Sequence, residues 1–171
     1  MNQTLTLPQA LQVAIQHHQA GDLQQAQTIY QKVLQVQPDN SDALHLLGLI
    51  ALHGHNYDEA IDLIQRAIRI NNTVPNYYNS LGNACREQHQ LTDAIANYQR
   101  AVALEPHFAE AHNNLGLALK QLGQLTQAVD CFQRALTLNP TLATAYQNWG
   151  EVLKEQHHLT EAINYLQQAS S

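Results

Sequence analysis

Charge is scarce in this sequence. Asp, Glu, Lys and Arg make up 13% of the residues, and Lys and Arg together number 8 in 171. With a net charge of -6 there is no broad basic face. That excludes the electrostatic grip needed by nucleic-acid and anionic-membrane binders. Cysteine is nearly absent. Cys85 and Cys131 stand far apart and outside any C-x-x-C spacing, so neither a disulfide framework nor a zinc ribbon is indicated. Two such thiols fit a reducing compartment, and a cytoplasmic location is expected. No run approaches the roughly 18 apolar residues of a membrane span. The start, MNQTLTLPQA, has no basic segment leading into an apolar one, so no signal peptide is read. Also missing are a G-x-S-x-G elbow, a phosphate-binding loop and paired catalytic carboxylates. No catalytic residue, cofactor or enzymatic activity is expected.

What the sequence does have is self-similarity. The stretch from Ala109 to Pro140, AEAHNNLGLALKQLGQLTQAVDCFQRALTLNP, carries Leu115-Gly116, then Ala128, Phe132, Ala135 and the closing Pro140. Shifted back by 34 residues, Leu81, Gly82, Ala94, Tyr98, Ala101 and Pro106 fall in the same places. Shifted forward, Trp149, Gly150, Ala162, Leu166 and Ala169 do. A fixed period of this length fixes the architecture before any other argument. Five repeats follow, at 7–40, 41–74, 75–108, 109–142 and 143–171, with the last incomplete and 1–6 as a tail. The first is degenerate, with Ala14 in the glycine place.

Each repeat reads as two helices. Numbering from the repeat start, positions 4, 7, 8 and 11 form one apolar or small stripe, and positions 17, 20, 24, 27 and 28 form another. Both have helical spacing. Between them, position 15 holds Gly21, His55, His89, Gly123 and His157. This is where a helix ends on a residue of positive φ, which Gly takes freely and His tolerates. Pro38, Pro106 and Pro140 at position 32 end the second helix, and Pro75 opens the third repeat. The small residues at positions 8, 20 and 27 let paired helices approach closely. The expected fold is all-α, about five helix-turn-helix units in one domain.

These residues resemble the tetratricopeptide repeat (TPR) family, whose pattern is Trp-x-x-Leu-Gly-x-x-Tyr, Ala-x-x-x-Phe and Pro at the same period. The likeness runs from Leu7 to Ala169 and departs mainly at position 4, where His112 and Tyr146 replace Trp. The resemblance implies a right-handed superhelix of stacked helix pairs. It also implies a concave groove lined by first helices, and a protein or peptide as partner. Proteins of this family bind through positions 2, 5, 6, 9, 12 and 13 of the first helix.

On those positions two columns emerge. Asparagines gather at Asn79, Asn83, Asn113, Asn114 and Asn148, with Gln147 beside them and Leu117 on the same face. A primary amide offers two donors and an acceptor, so a column of them suits the backbone of an extended peptide. Arg86, Lys120 and Lys154 form the second column, one cation per repeat at position 12. The remaining cations are expected in the last turns of second helices, where the helix dipole would favour them. A partner carrying acidic groups is therefore expected along the inner column. The chaperone-tail clamp of some TPR cochaperones is not matched, because Asn79, Thr144 and Asn148 stand where that clamp has cations.

The asparagines at position 6 are similar to those in the TPR arms of O-linked N-acetylglucosamine transferases. The alternative function is accordingly a substrate-recruiting arm of a larger bacterial enzyme of that kind. Repeat five lacks a polar capping helix, which raises self-association through its bare face. The 10 histidines do not make a metal site. His55, His89 and His157 are turn residues, and His17 and His112 take core-facing positions. His45 and His53 lie eight residues apart on one helix, about 12 Å. His18 and His53 can meet, but nothing completes a ligand set.

Overall fold

The computed structural model describes residues 6–170. Of the tail read at 1–6, all but Thr6 lies outside them, as does Ser171. The described residues form ten α-helices and no strand. The first helices are α1 (Leu7–Gln19), α3 (Ser41–His53), α5 (Pro75–Glu87), α7 (Ala109–Gln121) and α9 (Ala143–Glu155). The second helices are α2 (Leu23–Val36), α4 (Tyr57–Ile70), α6 (Leu91–Leu104), α8 (Leu125–Leu138) and α10 (Leu159–Ala169). The helix starts advance by 34 residues in both series, giving five helix-turn-helix repeats.

The chain divides into two compact units at Ala84 and Cys85. In the first, α1 packs on α2, α2 on α3 and α3 on α4. In the second, α6 through α10 pack in sequence, and α7 also touches α9. First helices therefore lie side by side as an inner layer within that unit.

Local chemistry sets the boundaries. Asp22 caps α2 by accepting from the Gln25 N–H, and Asn40 caps α3 by accepting from Ala43 at 2.9 Å. Pro75 stands as the first residue of α5. The other three repeat-ending prolines each fall two residues past the end of a second helix. All five position-15 residues have positive φ: 80° at Gly21 and Gly123, 59° at His55, 61° at His89 and 62° at His157. Each tight turn is closed by the same bond, from the N–H of the following residue to a carbonyl five residues back, as in Gln124 to Leu119 at 2.9 Å.

The repeat core is a small residue facing a large one. A Cβ on Gly116 would stand 2.6 Å from Phe132 Cε1 and 3.0 Å from the Ala128 carbonyl oxygen. Gly48 faces Ile64 and Gly150 faces Leu166 in the same way. Each large partner is 16 residues on, at position 24 of its own repeat. In repeat one Ala14 takes the small place, and both it and Tyr30 are fully buried. His17 departs from its expected core-facing role. It is half-exposed, because its Nδ1 turns to Asp22 at 3.1 Å rather than into apolar packing. His112 is half-buried, with Nε2 at 3.1 Å from the Pro106 carbonyl. On α10, Leu159 and Ile163 are 58% and 56% exposed, whereas Leu125 and Val129 in the same places on α8 are half-buried.

Candidate functional site

The inner face of each unit is built by a recurrent polar bond between neighbouring first helices. In the second unit Asn148 Nδ2 donates to Asn113 Oδ1 at 2.9 Å. In the first unit His45 Nε2 lies 2.9 Å from Ser80 Oγ. Both pairs are 35 residues apart, joining position 5 of one repeat to position 6 of the next. Position 5 is buried in both rungs, Asn113 at 6% and His45 at 8% exposed; its partner Ser80 is buried as well, whereas Asn148 is half-buried. A buried amide or imidazole must find a hydrogen-bond partner, and the next repeat supplies it.

This places the predicted residues more sharply. Asn113 is not a surface group but the buried acceptor of a rung. Asn148 is half-buried and spends one amide hydrogen on that rung, leaving the other and its Oδ1. Gln147 is exposed and hydrogen-bonds Glu151. Asn114 and Leu117 are half-buried on α7. In the first unit Asn79 and Asn83 are half-buried on α5.

The cation column is largely engaged inside the protein. Lys120 Nζ meets Glu151 at 2.6 Å and Glu155 at 3.5 Å, and its side chain is only 14% exposed. That hydrogen bond, first of all, holds the Glu151 carboxyl below its ordinary value. Arg86 pairs with Glu87 at 2.8 Å and hydrogen-bonds the hydroxyl of Tyr98. Burial, partly offset by Arg86, pushes that phenol up to about 12. Lys154 is exposed, and its charge bears on Glu151. Lys120, Glu151, Lys154 and Glu155 together sum to zero, so this face carries no surplus positive charge.

Sequence reasoning missed the His45 cluster. The His45 ring packs against Tyr77 with centroids 4.6 Å apart, and the Tyr77 hydroxyl donates to Asp42. The signal was a spacing of one repeat plus one residue, which pairs position 5 with position 6. His18 and His53 do meet, with ring centroids 6.3 Å apart. Among the described residues no three His, Cys, Asp or Glu side chains come together to hold a metal. A separate cleft lies on the second unit, lined by Tyr146, Asn164, Tyr165, Gln167 and Gln168, and includes none of the predicted residues. Its Tyr165 ring is turned onto Trp149, 4.3 Å away. No helix among the described residues is long and apolar enough to cross a membrane.

Three matches to the tetratricopeptide-repeat family cover residues 17–83, 82–123 and 109–142. The chain is a TPR protein. No curated protein matches it. Solved structures similar to this TPR chain include the crystal structure of MamA, at 27% identity over 92% of both chains with a TM-score of 0.79. PilF of Pseudomonas aeruginosa is 21% identical over 96% of this chain and 75% of its own, with a TM-score of 0.87. YrrB, a TPR protein with an unusual peptide-binding site, is 24% identical over 96% of this chain and 84% of its own, with a TM-score of 0.75. The latter two share the fold. TPR repeats make protein-interaction modules, and this chain is built as one.

Proposed function

We propose that the chain is a non-catalytic scaffold that holds an extended peptide along its inner face. The observation that carries this is the half-used amide of Asn148. Its rung to Asn113 fixes the side chain, and the remaining donor and acceptor match a peptide backbone. A fixed amide binds better than a mobile one because less rotamer freedom is lost on contact. Gln147, Asn114 and Leu117 extend the same face with polar and apolar contacts. The neutral sum of Lys120, Glu151, Lys154 and Glu155 supports a partner recognised through its backbone more than through acidic side chains. YrrB, with its peptide-binding site, offers a parallel for this use of the fold.

The test is selection of peptides from a random 12-residue display library on the immobilised chain. Peptides that bind should weaken by roughly tenfold against Asn148→Ala, the equivalent of about 1.4 kcal/mol for lost hydrogen bonds. Gln147→Ala, at an exposed position, should weaken them without lowering the melting temperature. A library yielding no binder, or binders indifferent to both substitutions, would overturn the proposal.

A further inference from the structure

The two rungs differ in one chemical respect. The amide rung of Asn113 and Asn148 holds no titratable group, whereas the rung of His45 and Ser80 does. We propose that the His45–Ser80 rung is an acid-sensitive latch: protonation of the buried imidazole opens the joint between α3 and residues 75–84, while the amide rung stays closed.

The geometry gives the reason. His45 is 8% exposed and lies under the Tyr77 ring, so a charge formed on it has little access to water. The groups that bear on it lie on α3, α1 and α5. On α3 itself Asp42 favours the charge, but that carboxylate already accepts from the Tyr77 hydroxyl. From α1, His18 opposes it, and His18 in turn faces His53. From α5 come only the neutral phenol of Tyr77 and the hydroxyl of Ser80. Burial outweighs Asp42, and the imidazole is pushed down to about 4. The unfolded or opened joint has an ordinary histidine near 6.5. The open form therefore binds the proton that the closed form refuses. Closure is fully stable above 6.5 and weakens as the pH falls toward 4.

The chain carries its own control. Trp149 is its one tryptophan and lies in the second unit, so indole emission reports that unit alone. The experiment is amide hydrogen exchange on the full chain at pH 7.5 and pH 5, corrected for the intrinsic pH dependence of exchange, with Trp149 emission followed in parallel. Protection in α3 and in residues 75–84 should fall at least tenfold at pH 5, with Trp149 emission unchanged. His45→Asn, which copies the residue at Asn113, should remove that fall. Equal loss of protection in His45→Asn, or equal loss across both units, would overturn the latch. Should that variant fail to fold at pH 7.5, a proton NMR titration of the wild-type His45 ring decides. Titration near 6.5 with protection intact overturns the proposal, and titration coupled to opening supports it.

Discussion

Asn148 reaches back 35 residues to the side chain of Asn113 and closes a bond on a group that water scarcely reaches. Removing the donor leaves Asn113 Oδ1 buried and unpaired. Asn148→Ala should therefore cost about 1–3 kcal/mol in the second unit. The double variant Asn113→Ala/Asn148→Ala should cost less than the sum of the two single changes. Urea unfolding followed at Trp149 measures both. Additive losses would mean that the rung contributes nothing as a pair.

The glycine facing Phe132 admits no side chain. A methyl group at Gly116 meets the ring at 2.6 Å and a backbone oxygen at 3.0 Å, and the backbone cannot swing aside. Gly116→Ala should destabilise by about 1–3 kcal/mol. Gly150→Ala should cost less, since the flexible Leu166 side chain is its closest obstacle at 2.9 Å. Paired melting curves test the order, and equal losses would contradict it.

Three histidines occupy a conformation that glycine enters without strain. A left-handed backbone costs a non-glycine residue roughly 1–2 kcal/mol, offset in part by the greater chain entropy that glycine loses. His89→Gly and His157→Gly should each raise the unfolding free energy by about 0.5 kcal/mol. His55→Gly should gain less, because it also loses the 2.8 Å contact of His55 Nδ1 with the Tyr57 hydroxyl. Val at these positions should lower stability in every case.

Acid should weaken the Lys120 contact as well, and by a separable route. Lys120 holds the folded Glu151 carboxyl below its ordinary 4.5. The unfolded chain thus binds the proton more readily. The contribution is complete above 4.5 and is lost as the pH falls through the depressed folded value. Because the Glu151 side chain is 43% exposed, the effect is a modest one. Lys120→Met should flatten this part of the pH profile of urea midpoints at Trp149, and an unchanged profile would refute the assignment.

Much of the fold was legible because it repeats. The helix pairs, the turns at Gly21 and His55, and the prolines that follow second helices all derive from local chemistry that recurs in phase. The face was legible only as a set of positions. Sequence spacing identifies Asn113 and Asn148 as neighbours but cannot say that one is buried and spends its oxygen on the other. The same holds for Lys120, whose charge is met by carboxylates one repeat on. Such pairings depend on how adjacent first helices are offset, and that is set by packing between repeats. His17 is a further instance, since its stripe position pointed inward but Asp22 offered a better partner.

The spacing of the rungs has a bearing on how such a chain can change length. Each rung joins a repeat to its successor through an offset one residue longer than the period. Loss or gain of a whole repeat keeps the 35-residue offset at these two joints, whereas an insertion within a helix strands the buried polar group of a rung. Growth by duplication is thus a natural route for this architecture, and the individual rung partners can drift between amide, hydroxyl and imidazole while the joint survives.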